Sequence, residues 1–328
     1  MAQKWTKEIE SITNAETAWQ ECKKICNHKH YIEPSQLEVM DMPRDARRFG
    51  EPLKKCIMHM STLTCRVQNG TRMCTGLVQR VRKSKVNTSN RSDCPDPNCS
   101  VSRTHEIRIL TVTCVSSIII EPRSRDQNIQ LRIEDFNCHY HFSGIKSEGE
   151  EESVRSEWCE LIFITHDIDN TNTLPAAITD FEQSQRSLYE EFQRENYPKK
   201  IISIIGYPHG TKKMVSFGEI ISREPKGNIR GDLEWCVYRY DAPTCPGFRG
   251  ATLLIPGQPL AGYGYWFGHP HCHYAYDDNT RLGRSSIGCD HRSRTSLSEP
   301  WAFSLSAYYK YTLIVGIAIV SMWVYSAY

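Results

Sequence analysis

Charge of one sign is the first thing this chain does without. Lys and Arg number 40 against 38 Asp and Glu, a formal net charge of +2. That balance gives no electrostatic footprint for a nucleic acid, so none is expected as a partner. No Gly-x-Gly-x-x-Gly follows a strand and no phosphate loop occurs, which argues against a nucleotide enzyme. Internal repeats at solenoid or propeller periods are missing, and low complexity is confined to short polar loops. The opening residues, Met1-Ala-Gln-Lys-Trp-Thr-Lys-Glu8, hold no apolar core segment. No secretory leader is read there, and the body is expected in the cytosol.

What the chain does have is enough apolar matter for a core, 39% of 328 residues, and a high count of 14 cysteines. The length suits two domains, or one large β domain with extensions. Without a leader, the cysteines read as mostly reduced and packed rather than as a disulfide scaffold. Sequons at Asn69, Asn87, Asn90 and Asn98 carry no meaning without translocation. Cys94 and Cys99, in a Pro-Asp loop, are the pair that an oxidising compartment would bridge.

One long uncharged run exists, at the end. Thr312 to Tyr328 contains no charged residue, with Tyr308, Tyr309 and Tyr311 at one margin and Trp323, Tyr325 and Tyr328 at the other. About 17 such residues reach the short limit for a membrane-spanning helix, and the aromatic margins suit the two interfaces. The expectation is a single-pass C-terminal (tail) anchor over residues 309–328. A buried terminal strand or helix is the competing reading.

Periodicity divides the remainder. Ile9, Ile12, Ala18, Trp19 and Cys22 recur at helical spacing, predicting a helix over residues 7–28 and a helical N-terminal extension over 1–55. From residue 60 the pattern becomes β. Leu63–Val67 alternates, Asn69-Gly70 signals a hairpin, and Arg72–Val81 makes the return strand. Further strands are predicted at Glu106–Ile120, Ile129–Phe142, Glu160–Thr165, Ile201–Gly206, Met214–Ser222 and Cys236–Tyr240. An exposed helix over Thr179–Glu195 interrupts them. Many short strands separated by turn signals predict an all-β barrel or sandwich.

Several motifs in order then carry a resemblance. Gly206-Tyr-Pro-His-Gly210 is followed by Val215-Ser-Phe-Gly218 and by Arg239-Tyr-Asp-Ala-Pro-Thr-Cys-Pro-Gly-Phe-Arg-Gly-Ala-Thr252. From about residue 60 to 290 the chain resembles the trypsin-like, chymotrypsin-fold peptidases (S1-like, PA clan). The closest likeness is to a divergent group in which a Cys-Pro-Gly-x-Ser-Gly-Ala-Pro turn follows Arg-Tyr-Asp. The resemblance implies a double β-barrel over residues 56–300. It also implies a degenerate triad: Arg249 stands at the serine, Cys114 at the histidine and Glu160 at the carboxylate.

An arginine offers no nucleophile, and without histidine no base takes the proton. The implied function is therefore a membrane-anchored pseudoprotease that binds an unidentified protein or peptide. Two alternatives stay open: an active peptidase with a non-standard residue set using Cys114, and a structural membrane protein using the barrel as a stable body. The turn's Gly247 and Arg249 N–H groups resemble an oxyanion hole. Arg249 either plugs the old site by pairing with Glu160 or helps that notch hold a carboxylate or phosphate.

Three further clusters stand out. His269, His271 and His273 share one face of a strand, as weak zinc candidates. Cys22-x3-Cys26-x-His28-x-His30 looks ligand-like but lacks a second cysteine knuckle, and reads as a helix face with two buried cysteines. Asp277-Asp278 reads as a solvated loop rather than a calcium site. No cofactor and no metal are expected.

Overall fold

The computed structural model describes residues 14–85, 103–112, 129–133, 141–146, 157–165, 171–195, 201–228, 233–257 and 271–291. Cys94, Cys99, Cys114, His269 and the 309–328 segment lie outside these residues. The described residues up to His291 belong to one compact unit. Among the described residues, no helix is long and apolar enough to cross a membrane.

The fold is mostly β, with two curled half-barrel sheets as in a double β-barrel. The first contains β1 (Thr64–Asn69), β2 (Arg72–Lys85), β3 (Arg103–Val112), β4 (Ile129–Arg132), β5 (His141–Lys146) and β6 (Trp158–Thr165), in the order β4-β1-β2-β3-β6-β5. The second contains β7 (Ile201–Gly206), β8 (Met214–Asn228), β9 (Leu233–Tyr240), β10 (Leu253–Leu254), β11 (His273–Asp277) and β12 (Leu282–Ser285), in the order β10-β7-β8-β9-β12-β11. A further strand, β13 (Gly288–His291), pairs β9. Every pairing is antiparallel.

The Asn69-Gly70 signal holds: Asn69 faces Arg72 across the β1–β2 turn, and Gly70 takes φ +58°. The segment read as one strand over Ile129–Phe142 is two, β4 and β5, which lie at opposite edges of the first sheet. β8 runs to Asn228, six residues past the predicted end, because its second half pairs with β9.

Among the described residues three α-helices accompany the sheets: α1 (Ala15–Gln20), α2 (Gly50–Leu63) and α3 (Leu174–Glu195). α1 is far shorter than the helix expected over 7–28. Asn14 caps it by accepting from the Glu16 and Thr17 N–H groups, and the chain leaves the helix after Gln20 for a short 3-10 turn at Ile25–His30. The N-terminal segment is part of the main core rather than an appendage. Leu37, Met42, Phe49, Leu53, Ile57 and Met60 are all at or below 1% exposure. α3 is not the exposed helix expected. Leu174, Phe181, Leu188 and Phe192 form a buried stripe at helical spacing, and Phe192 stacks on Phe49 at 5.6 Å.

His105 of β3 is 3% exposed, with Nδ1 2.5 Å from the Thr171 hydroxyl oxygen. Burial, and then the Lys83 ammonium, push this imidazole below its ordinary 6.5. The fold accepts the neutral ring. Its contribution is therefore complete above about pH 6.5 and is lost as pH falls through the lowered value. Between pH 7.5 and 5.5, His105→Gln should lose less thermal stability than the parent. The difference should not exceed about 1.4 kcal/mol per pH unit. Parallel melting curves that stay a constant distance apart would exclude this role.

Candidate functional site

The Cys245–Ala251 turn sits where the two sheets meet. Thr75 of β2 holds it from one side: its N–H donates to the Arg249 carbonyl (2.8 Å) and its hydroxyl to the Gly247 carbonyl (2.7 Å). Thr111 of β3 donates to the Thr75 carbonyl at 2.9 Å and so braces the same strand pair. From the other side Gly250 donates to the His273 carbonyl (2.9 Å), and the His209 N–H to the Pro246 carbonyl (2.6 Å). Glycine is required at two points. Gly247 (φ +102°) and Gly250 (φ +83°) are left-handed, and an added Cβ would stand 2.0 Å from the Tyr207 carbonyl and 2.1 Å from the Thr111 hydroxyl respectively.

Arg249, at 1% exposure, is among the largest fully buried side chains. Its guanidinium carbon lies 5.4 Å from the centre of the Tyr274 ring. Arg284 lies over the same ring at 4.9 Å and is held bidentately by Glu157, at 2.9 and 3.0 Å. Glu157 also accepts from the Ile287 N–H at 3.0 Å. This carboxylate precedes β6 in the first sheet and clamps β12 in the second.

Glu160 is 3% exposed on β6, opposite Leu110 of β3. Its carboxylate accepts from Arg108 at 3.0 Å, and Arg108 also donates to Glu106 at 2.7 Å. The ion pair expected between Glu160 and Arg249 is thus replaced by one between Glu160 and Arg108. Strand register explains the choice: Arg108 and Glu160 sit two residues apart on neighbouring strands, within reach of a long side chain.

The described histidines of the His-x-His-x-His segment do not converge. His271 is fully buried and engages Ser285 and the Ser286 carbonyl through Nδ1, both at 3.2 Å, with Cys236 at 3.7 Å from Nε2. His273 instead meets the Tyr240 hydroxyl at 2.5 Å. Asp277 is no open loop acid. It is 2% exposed and holds the β11–β12 turn through the Asn279 N–H and the Thr280 hydroxyl.

A different set comes together. Cys22, His28, His209 and Cys245 present one ligand atom each, all within 4.8 Å of one another. Cys22 and His28 were visible in the sequence as half of a cluster. Cys26, read as buried beside Cys22, is exposed. His209 and Cys245 were quoted only as parts of the peptidase-like motifs. No disulfide joins the ten described cysteines to one another. Burial raises Cys56, Cys65, Cys236 and Cys272 to about 12, which makes them inert packing groups.

No protein-family model and no curated protein sequence matches the chain. Its fold is similar to that of solved serine protease structures. The active form of the Rv3671c protease from M. tuberculosis aligns over 71% of this chain and 78% of its own, at 13% identity and TM-score 0.36. Its inactive form aligns over 71% and 86%, at 11% and 0.36. An inactive serine-to-alanine mutant of Rv3671c from M. tuberculosis H37Rv aligns over 71% and 84%, at 11% and 0.35. Similarity this distant carries no inference about activity.

Proposed function

We propose that this protein is a catalytically inactive member of the trypsin-like peptidase architecture, which acts by binding a protein or peptide partner and is held at a membrane through residues 309–328. The observation that carries the reading is Arg249. By the resemblance of its turn it stands where the family has its nucleophile; it is 1% exposed and has its backbone locked by Thr75. No hydroxyl or thiol stands there to attack a carbonyl. The second support is Glu160, whose carboxylate is engaged by Arg108 rather than left to orient a base.

The test is a broad fluorogenic peptide panel with a serine/cysteine activity probe, run on the purified full chain and on Arg249→Ser. Neither should turn over substrate above buffer. Restoring serine restores only one member of a triad whose members act as a unit. Turnover by the full chain that disappears in Cys114→Ala would overturn the reading in favour of a peptidase with a non-standard residue set. The anchor is tested in the same preparation by carbonate extraction. The full chain should stay with membranes and residues 1–308 should wash off; equal release of both would remove the membrane from the proposal.

A further inference from the structure

The four side chains at the base of the Cys245 turn come from three distant parts of the chain. Cys22 and His28 lie on the N-terminal arm that follows α1, His209 on the turn after β7, and Cys245 at the first residue of the old nucleophile turn. Cys22 Sγ is 3.6 Å from Cys245 Sγ, and Cys245 Sγ is 3.5 Å from His28 Nε2. A disulfide would need sulfurs about 2.0 Å apart. A tetrahedral zinc ion with bonds of about 2.3 Å to sulfur and 2.0–2.1 Å to nitrogen needs S···S edges of about 3.8 Å and S···N edges of about 3.5 Å. The observed spacing has the second form.

The surroundings fit the same ion. The Lys24 N–H points at Cys22 Sγ from 3.3 Å, the kind of N–H···S contact that supports a thiolate ligand. The Lys24 ammonium lies over the Tyr276 ring, 3.3 Å from its centre, and donates to the Thr244 carbonyl next to Cys245 at 3.5 Å. Trp19 covers His28 at 4.0 Å between ring centres and approaches His209 edge-on at 6.2 Å, forming an apolar lid. His209 is 1% exposed and holds a left-handed backbone, φ 51°. Two thiolates and two neutral imidazoles bring a divalent ion to net neutrality in this enclosure. Two sulfurs and two nitrogens in tetrahedral array select zinc over calcium, magnesium or manganese, which prefer oxygen ligands.

We propose that Cys22, His28, His209 and Cys245 form a structural Cys2His2 zinc site that ties the N-terminal arm to the base of the former nucleophile turn. All four positions are filled by protein, which leaves no open place for substrate or water and makes the site structural rather than catalytic. The site stands independently of the peptidase-like reading. It would exist in an active or an inactive protein.

The test uses the full chain, purified under reductant in non-ionic detergent after expression with zinc. Elemental mass spectrometry should find about one zinc per chain, and cobalt exchange should give the visible bands of a tetrahedral S2N2 centre. Cys245→Ser and His28→Gln should each reduce bound zinc at least tenfold. Cys26→Ser and His30→Ala, the neighbours with the same chemistry, should retain it. Hydrogen exchange over residues 14–31 should accelerate at least tenfold when a chelator removes the metal. Wild-type protein that holds less than a tenth of an equivalent of zinc and gives no cobalt spectrum on reconstitution would overturn the site. This readout needs no variant to fold. Loss of zinc in Cys26→Ser but not in Cys245→Ser would overturn the ligand set.

Discussion

Gly250→Ala should lower the melting temperature by roughly 10 °C in a thermal scan followed by circular dichroism. Two effects add. The residue is left-handed at φ +83°, which costs an L-residue about 1–2 kcal/mol. The new methyl would stand 2.1 Å from the Thr111 hydroxyl and 2.2 Å from the Thr75 carbonyl, both in fully buried threonines of the first sheet. Backbone cannot retreat there without breaking the Thr75–Arg249 hydrogen bond, so overpacking adds a further ~1–3 kcal/mol. Gly227→Ala is the control. It lies on a strand with nothing within 4 Å of the added carbon and should melt within about 2 °C of the parent. A Gly250→Ala protein that melts with the control would show that the turn is not wedged between the sheets.

Glu157→Ala should destabilise by about 2–3 kcal/mol in denaturant titration. It removes both hydrogen bonds to Arg284 and the acceptor of the Ile287 N–H together. The pair is mostly but not fully enclosed, at 15% and 19% side-chain exposure, so water softens the loss below that of a sealed ion pair. What remains is an Arg284 guanidinium beside the Tyr274 ring with its acid gone, and Arg249 on the same ring. Removing the stranded cation as well should recover part of the loss. The double variant Glu157→Ala/Arg284→Met should be more stable than Glu157→Ala alone by about 1 kcal/mol or more. A Glu157→Ala protein as stable as the parent would show that the clamp between the sheets carries no energy.

The parts of the fold legible in the sequence were those whose cause is local. Ile201–Gly206 is buried at every position and announces itself as an apolar run; Asn69-Gly70 fixes its own turn. Glycines 247 and 250 marked a tight turn before any contact was known. What escaped has non-local causes. β10 is only two leucines, and β11 to β13 are short and hold histidine, arginine and aspartate among residues that pair with β9 or with buried hydroxyls from elsewhere in the second sheet. The stripe on α3 is interrupted by charged residues and becomes an interior face only because α2 lies against it. Cys22-x3-Cys26-x-His28-x-His30 read as a helix face with two buried cysteines because His209 and Cys245, which Cys22 and His28 meet, lie about 180–220 residues downstream, beyond any spacing rule for a local knuckle. Glu160 was read as the acid at the triad's carboxylate position, but its partner Arg108 is chosen by β3–β6 register, which composition does not encode.

The bridge between Ile32 and Val215, with N–H···O distances of 3.0 and 2.8 Å in both directions, also sets an order of events during synthesis. The arm leaves the ribosome before its backbone partner, which follows about 180 residues later, roughly 10–40 s at ordinary elongation rates. Through that interval Tyr31 lacks the Phe248 ring it finally meets at 5.4 Å, and Ile32 lacks its strand. The arm is therefore seated only after the second sheet has begun to emerge. A nascent protein stalled before Val215 has emerged should display Tyr31 and Ile32 to chaperones and proteases.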